Sequence, residues 1–346
     1  MPRLNFFSLT HIAKHTARGG RLFFCLVIMA FTIIAFTPLS PAFGKKHPSD
    51  PSSISAPFEF IVIGDMPYHL PEDYQRLTTL ITAINQEKPA FTVHVGDIMS
   101  GATPCTDGYY FKVRDLFNTF DQPLIYTPGD NEWTDCHRIY RLPPQNPIKQ
   151  LARVRSIFYP PQAGFERDLP VLRQSAQAAY GDYVENVRWQ QKGFIFTTLH
   201  IVGSNNRAPG ADGENEFEAR RNANHAWLLE AFEHALLPSV KGLVIFMQAN
   251  PNFEFSEKSK AREGFNDFID TLQLQVPRLG KPVLLIHGDS HRFWLDKPLM
   301  SKLDNSQVLK NFTRVCVFGD TQRHGVRFIQ NNKNPDLLDI RPFWGE

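Results

Sequence analysis

The stretch FEFIVIGDMPYHLPEDYQRLTTLITAINQEKPAFTVHVGD (58–97) sets the architecture of the chain. It begins with an apolar run that breaks at Gly64-Asp65, the pattern of a strand buried on both faces and ended by a turn. From Pro71 to Lys88 the period changes. Leu77, Leu80, Ile81 and Ile84 fall on one helical face, and Glu72 and Asp73 occupy the first turn, where negative charge suits the helix dipole. FTVHVGD (91–97) then repeats the strand-Gly-Asp pattern. Strand, amphipathic helix and strand in succession predict an α/β domain whose helices cover a buried sheet.

The same grammar continues outward. PLIYTPGD (123–130), GFIFTTLHIVGSNN (193–206), GLVIFMQANP (242–251), KPVLLIHGDSH (281–291) and FTRVCVFGD (312–320) read as further strands, and ANHAWLLEAFEHAL (223–236) as a helix. Residues 138–193 are rich in Pro, Arg and Gln and show no dominant period. No segment repeats at a fixed interval and no linker divides residues 58–346, so one domain is expected there. The 29 phenylalanines and 26 prolines suit β-structure joined by shaped turns.

The first 44 residues carry Arg3, Lys14, Arg18 and Arg21, no acidic residue, the apolar run Leu22–Phe36, and Ala42-Phe43-Gly44 before Lys45. That is the layout of a signal peptide (residues 1–44). The run is short for a membrane span, which needs about 20 apolar residues; the alternative is an uncleaved N-terminal anchor. KKHPSDPSSISAP (45–57) reads as a linker. Without the four basic residues, the balance of 37 basic and 35 acidic residues becomes 33 and 35. No basic stripe remains to attract nucleic acid. The reading is of a periplasmic or secreted protein with no membrane attachment beyond the export segment.

Cys105 and Cys136 lie in polar loops and are candidates for a disulfide in an oxidising compartment, while Cys316, in RVCVFG, reads as a small buried hydrophobe. No phosphate-cradling G-x-x-x-x-G-K, Ser-His-Asp signature or paired C-x-x-C is present.

Four apolar strands run directly into Gly-Asp: at Asp65, Asp97, Asp130 and Asp289. In α/β sheets ligands gather beyond the carboxyl ends of strands. Four carboxylates meeting there would repel one another unless cations neutralised them, which makes a metal the natural reason for the cluster.

The order and spacing of these motifs resemble the calcineurin-like metallophosphoesterase superfamily, as a divergent bacterial branch. Its pattern is D-x-H, G-D-x-x-D, G-N-H-D/E, a His after a strand, and G-H-x-H. Asp65 and Asp97 match the first two leading Asp residues, PGDNE (128–132) stands where G-N-H-E would, and GDSH (288–291) where G-H-x-H would. AWLLEAF (226–232) resembles the family's W-L-x-x-x-L helix. The resemblance implies a four-layer α/β/β/α sandwich, two divalent ions and hydrolysis of a phosphate ester. It also implies metal ligands Asp65, Asp97 (bridging), Asp130, Asn250, Asp289 and His291.

The departures have a direction. Pro67 replaces the His of D-x-H, leaving Tyr68 or His69 to serve, and Ser100 replaces the second Asp of G-D-x-x-D. Asn131 replaces the catalytic His, and the strand-end His falls at Ala249, between Gln248 and Asn250. Imidazoles are lost and oxygens gained, which favours Mn²⁺, Mg²⁺ or Ca²⁺, with Fe or Zn as the softer alternatives. Asn131 takes the catalytic position, and Tyr68, Asn205 and Arg207 are assigned to a small phosphorylated substrate, since Arg offers a fork matched to phosphate. His94, His200 and His287 read as core histidines, and His137 and Arg138 as loop residues. The rival expectation is a catalytically silent exported domain that binds a structural cation or ligand on the same scaffold.

Overall fold

The computed structural model describes residues 58–160, 164–208, 214–304 and 307–345. The export segment and linker expected over residues 1–57 lie outside them. Residues Ser55–Glu346 form one compact unit. Among the described residues, no helix is long and apolar enough to cross a membrane.

Two sheets face each other. In the first, β1 (Glu59–Ile63), β2 (Thr92–His94) and β3 (Leu124–Tyr126) run parallel. β11 (Gly325–Gln330) pairs antiparallel with β1, and β12 (Leu338–Phe343) antiparallel with β11. The second sheet is built on four parallel strands, β6 (Phe194–Thr198), β7 (Gly242–Phe246), β8 (Val283–His287) and β10 (Phe312–Cys316). Antiparallel strands flank it, β4 (Leu172–Arg173) and β5 (Val187–Gln191) at one edge and β9 (Trp294–Asp296) at the other.

The pleat explains why β1 is apolar throughout. Successive side chains point to opposite faces. Phe60 and Val62 join the core between the sheets with Phe91, Phe196, Phe246 and Phe328. Ile61 and Ile63 join the opposite layer, with Leu77, Leu80, Ile81 and Ile84 of α1 (Glu72–Glu87). Phe60 stacks on Phe91 and Phe328 at 4.9 and 4.8 Å and meets Phe196 of the other sheet edge-on at 5.4 Å. α2 (Asp107–Phe117) and α3 (Pro147–Phe158) share that outer layer. α4 (Glu214–Ala235) and α5 (Asn266–Leu279) pack on the second sheet through Trp227, Leu228, Phe232, Ile269 and Leu272. The result is a four-layer α/β/β/α sandwich.

The unassigned middle contains α3. Asn146 caps it by accepting from the Lys149 backbone N–H at 3.0 Å, and Pro147 sits at its first position, where the missing N–H is harmless. Leu151, Val154, Ile157 and Phe158 are its buried face. The helix expected over 223–236 begins earlier, at Glu214.

Cys105 and Cys136 form a disulfide across a separation of 31 residues, joining the loops that follow Asp97 and Asp130. Opening it by Cys105→Ala with Cys136→Ala is expected to lower stability by about 3–4 kcal/mol in the chain-entropy model. Chemical denaturation of the purified protein measures this, and a peptide map of unreduced protein locates the bond. Cys316 is a buried free thiol.

Candidate metal centre

Every parallel strand of the inner part of each sheet ends at the same edge of the sandwich. β1 delivers Asp65, β2 Asp97, β3 the Asp130 loop, β6 the turn Gly203–Asn206, β7 Gln248, and β8 Asp289 with His291. Asp65, Asp97 and Asp289 hold the left-handed region, with φ of 51°, 55° and 69°, and His291 does so at 58°. An Asp enters that region more readily than most residues because its short polar side chain bonds locally. Such strain collects at functional sites.

Asp65 is fully buried, and both of its oxygens accept from the Asp289 backbone N–H at 3.0 Å. Asp97 is held harder. Its Oδ2 accepts from Tyr68 Oη and Asn131 Nδ2, both at 2.8 Å, and its Oδ1 from the Asn131 backbone N–H at 3.0 Å. Gly129 permits that approach, because a Cβ there would stand 2.0 Å from Asp97 Oδ1. His291 Nε2 lies 3.7 Å from Asp65 Oδ1 and 3.2 Å from Tyr68 Oη. Ligand atoms of Asp65, Asp97 and His291 all fall within 4.8 Å of one another.

Asp130 and Asp289 converge beside them. A Cβ on Gly203 would sit 2.6 Å from Asp130 Oδ1 and 2.8 Å from Asp289 Oδ1, so both oxygens border the space that this glycine leaves open. Asp130 Oδ2 accepts from Ser204 Oγ at 2.7 Å, whereas its buried Oδ1 has no hydrogen-bond partner. Asp289 Oδ2 accepts from the Asn250 backbone N–H at 3.1 Å.

Burial is the main force on all four carboxyls, and repulsion from neighbouring carboxylates of the cluster adds to it at Asp65, Asp97 and Asp130. Asp65 is raised well above the usual carboxylate range, with the charge of Asp289 next in weight. Asp97 is raised likewise, with Asp130 as its strongest neighbour. Asp130 is pushed up to about 8 by burial and then by Asp289, and Asp289 is raised by burial. Glu132, directly behind the cluster, is raised by burial although Tyr126 Oη and the N–H groups of Ile98 and Gly129 bond its Oε1. Carboxylates crowded in this way, one imidazole and an orphaned buried oxygen fit a divalent cation, whose charge would relieve their repulsion.

No protein-family model matches the chain, and no curated protein sequence matches it. Solved structures do. A dimetal phosphatase from Danio rerio superposes with a TM-score of 0.51 at 12% identity, over 84% of this chain and 97% of that one. The metallophosphoesterase fold is the fold of this chain. GAP50, the anchor in the inner membrane complex of Plasmodium, superposes at 0.43 and 9% identity over 83% and 89% of the two chains. Purple acid phosphatase PPD1 from yellow lupin seeds does so at 0.44 and 14% over 79% and 49%. These two weaker likenesses add nothing to the assignment.

Within the metallophosphoesterase fold, the positions that depart from the family pattern have specific occupants. Tyr68, not His69, reaches the cluster, because His69 turns outward to Asp320 at 2.7 Å. Ser100 bonds Thr103 and gives its carbonyl to Arg141. Asn131 is in place, with its amide on Asp97 and Tyr68. Asn250 is adjacent, but its side-chain oxygen is taken by Arg314 and the Asn252 N–H, so it contributes through its backbone. Gln248 stands at the strand end instead, with Oε1 on the Gly203 N–H and Nε2 3.5 Å from Asp289 Oδ1. Asn205 is likewise engaged elsewhere, accepting from the Gly264 N–H. Arg207 is half-buried, its guanidinium 6.0 Å from the Trp133 ring. His94, His200 and His287 are fully buried core histidines. Ser204 and Glu132 are residues that sequence reasoning left without a role, and Gln248 was the alternative to Asn250 for the strand-end position.

Proposed function

We propose that this protein hydrolyses a small phosphate ester with the help of two divalent metal ions, Mn²⁺, Mg²⁺ or Ca²⁺ in the first instance, with Fe or Zn as alternatives. The observation that carries this is the convergence of four strand-end carboxylates, one with a buried, unpartnered oxygen, on a single edge of the fold. Asp97 would bridge, Asp65 and His291 would hold one ion, and Asp130 and Asp289 would hold the other. Bound there, such ions polarise a phosphoryl oxygen and make water a nucleophile at neutral pH.

The chain's own groups do the rest. Ser204 fixes Asp130, and the backbone N–H groups of Asp289, Asn250 and Asn131 fix Asp65, Asp289 and Asp97. Tyr68 and Asn131 face the cluster with donors that can turn to a phosphoryl oxygen, and donors placed in advance stabilise developing charge. Arg207 is assigned to the substrate's side of the site. The disulfide supports an oxidising, exported location.

A panel of phosphomonoesters, phosphodiesters and pyrophosphate, each with several divalent metals, tests the reading; turnover of none of them would overturn it. One observation favours the rival, a silent domain with a single structural cation: among the described residues, Asp65, Asp97 and His291 are the only group of three or more His, Cys, Asp or Glu whose ligand atoms all lie within 4.8 Å of one another.

Asn131 gives the reading a kinetic signature. An imidazole in this position would protonate the departing alkoxide, a contribution worth 10²–10⁴-fold. An amide cannot. His69 is turned outward to Asp320, and His137 bonds the Thr134 carbonyl through Nδ1. Esters with poor leaving groups are therefore expected to turn over far more slowly than aryl phosphates or anhydrides. A plot of kcat/KM against leaving-group pKa should be steep, and Asn131→His should flatten it; a flat plot for the unmodified protein would place a proton donor elsewhere.

A further inference from the structure

The segment Arg138–Leu142 leaves the metal centre just after Asp130 and is anchored on one side and bare on the other. Arg141 is 1% exposed and donates to the carbonyls of Ser100, Thr103 and Asn131 at 2.7–2.8 Å. Cys136, just before the segment, is tied to Cys105. Its other side chains face solvent: Ile139 is 83% exposed, Tyr140 59% and Leu142 70%. Large apolar groups grouped on a surface mark a binding site more often than scattered ones do, and here a buried guanidinium and a disulfide hold their backbone in place.

Arg138 connects this apolar rim to the carboxylates. Its Nη2 pairs with Asp135 Oδ2 at 2.6 Å and lies 3.2 Å from Ser204 Oγ, which donates to Asp130 Oδ2 at 2.7 Å and to Asp135 Oδ1 at 2.9 Å. Its Nη1 lies 3.1 Å from Tyr140 Oη, and both Nη1 and Asn131 Oδ1 border the space above Gly101. From the cluster outward the order is carboxylates, guanidinium, phenol and aliphatic surface. An ester of phosphate has the matching order, an anion at one end and an organic group at the other.

Resting on the phosphoester reading above, we propose that this rim selects the substrate: Arg138 faces the phosphoryl anion, and Ile139 and Tyr140 carry the alcohol portion. The substrate is then a phosphate ester of an apolar alcohol large enough to lie across a tyrosine ring. Guanidinium groups suit phosphate because their donors form a planar fork, and aromatic contacts of this kind are worth about two- to tenfold in affinity.

The test compares 2-naphthyl phosphate with acetyl phosphate, an activated substrate with a small polar leaving group, on the full chain with Mn²⁺. Ile139→Ser combined with Tyr140→Ser, both at exposed positions, is expected to lower kcat/KM for 2-naphthyl phosphate about two- to tenfold, chiefly through KM, and to lower that for acetyl phosphate by clearly less, the part that passes through the Tyr140 bond to Arg138. Arg138→Lys should raise KM for both. Leu274→Ser, an exposed apolar position on α5, should change neither. Equal loss on the two substrates, or no loss on either, would overturn the inference while leaving phosphoester hydrolysis standing. Self-association or vesicle binding that the double variant abolishes without changing either rate would also overturn it, making the loop an interface. Absence of turnover of both substrates by the unmodified protein with Mn²⁺, Mg²⁺, Ca²⁺ or Zn²⁺ would remove the phosphoester reading itself, and this inference with it.

Discussion

Asp97→Asn is expected to cost the protein at least one bound ion and on the order of 10³-fold in kcat/KM, while making the metal-stripped protein more stable. The first effect follows from the bridging role. Ions in such sites contribute several kcal/mol to the transition state, at 1.36 kcal/mol per decade of rate, and an amide carries no charge to hold them. The second follows from burial. Asp97 is 2% exposed, and Asp130, Glu132, Asp65 and Asp289 all push its carboxyl upward after desolvation does. A neutral isostere removes that repulsion. Its hydrogen bonds from Tyr68 and Asn131 survive if the phenol and the Asn131 amide turn over. Elemental analysis, steady-state kinetics and thermal melting in chelator read the three quantities. Opposite signs for stability and activity separate loss of the ion from simple misfolding, and full metal content with full activity would contradict the bridging assignment.

The stripped protein is also expected to lose stability as pH rises from about 6.5 to about 8. Asp130 has an ordinary value of 3.8 and a folded value of about 8. Between the two, the folded state binds more protons than the unfolded state, so stability falls with rising pH. Over the upper part of that window Asp130 alone is worth about 2 kcal/mol, and Asp65, Asp97 and Asp289 act in the same direction. Below about 6.5 the buried His94 and His287 oppose them. Their folded values are about 3 against an ordinary 6.5, so the unfolded state takes up protons there and stability rises with pH. Added Mn²⁺ should reverse the upper trend, because ions bind the ionised carboxylates; a concentration a hundredfold above Kd stabilises by about 2.7 kcal/mol. Melting temperatures in chelator and in Mn²⁺ across this range measure the effect. A flat profile in chelator would mean that the carboxylates are not jointly strained.

The strand-Gly-Asp units were legible because both halves of the signal are local: an unbroken apolar run, then the turn chemistry of Gly and Asp. The two-faced burial of β1 was legible too, though only the pleat shows that Phe60 and Val62 meet the second sheet while Ile61 and Ile63 meet α1. α3 had its signals in the sequence, an Asn-Pro start and Leu151, Val154, Ile157 and Phe158 at helical spacing, but they sit among prolines and arginines that mask the period. β11 and β12 were not read, since β11 becomes a strand by pairing with β1, a partner remote in sequence. At the candidate metal centre, motif order pointed to Asp65, Asp97, Asp130, Asp289 and His291, which the fold brings to one edge of the sandwich. Gln248 and Asn250 could not be told apart, because residues two apart point the same way along an extended chain and only the turn beyond β7 sends Gln248 to Asp289 and the Asn250 oxygen to Arg314. Ser204 was out of reach, because the run of left-handed residues from Ser204 to Arg207 that brings its hydroxyl to Asp130 has no marker in the sequence.

The most direct test follows turnover of 4-nitrophenyl phosphate while Mn²⁺ is added back to chelator-stripped protein. Two-metal phosphoester hydrolysis requires no turnover at the start and a rate that saturates at two equivalents of ion per chain. Turnover that ignores the metal, or none with Mn²⁺, Mg²⁺, Ca²⁺, Zn²⁺ or Fe²⁺, would contradict it.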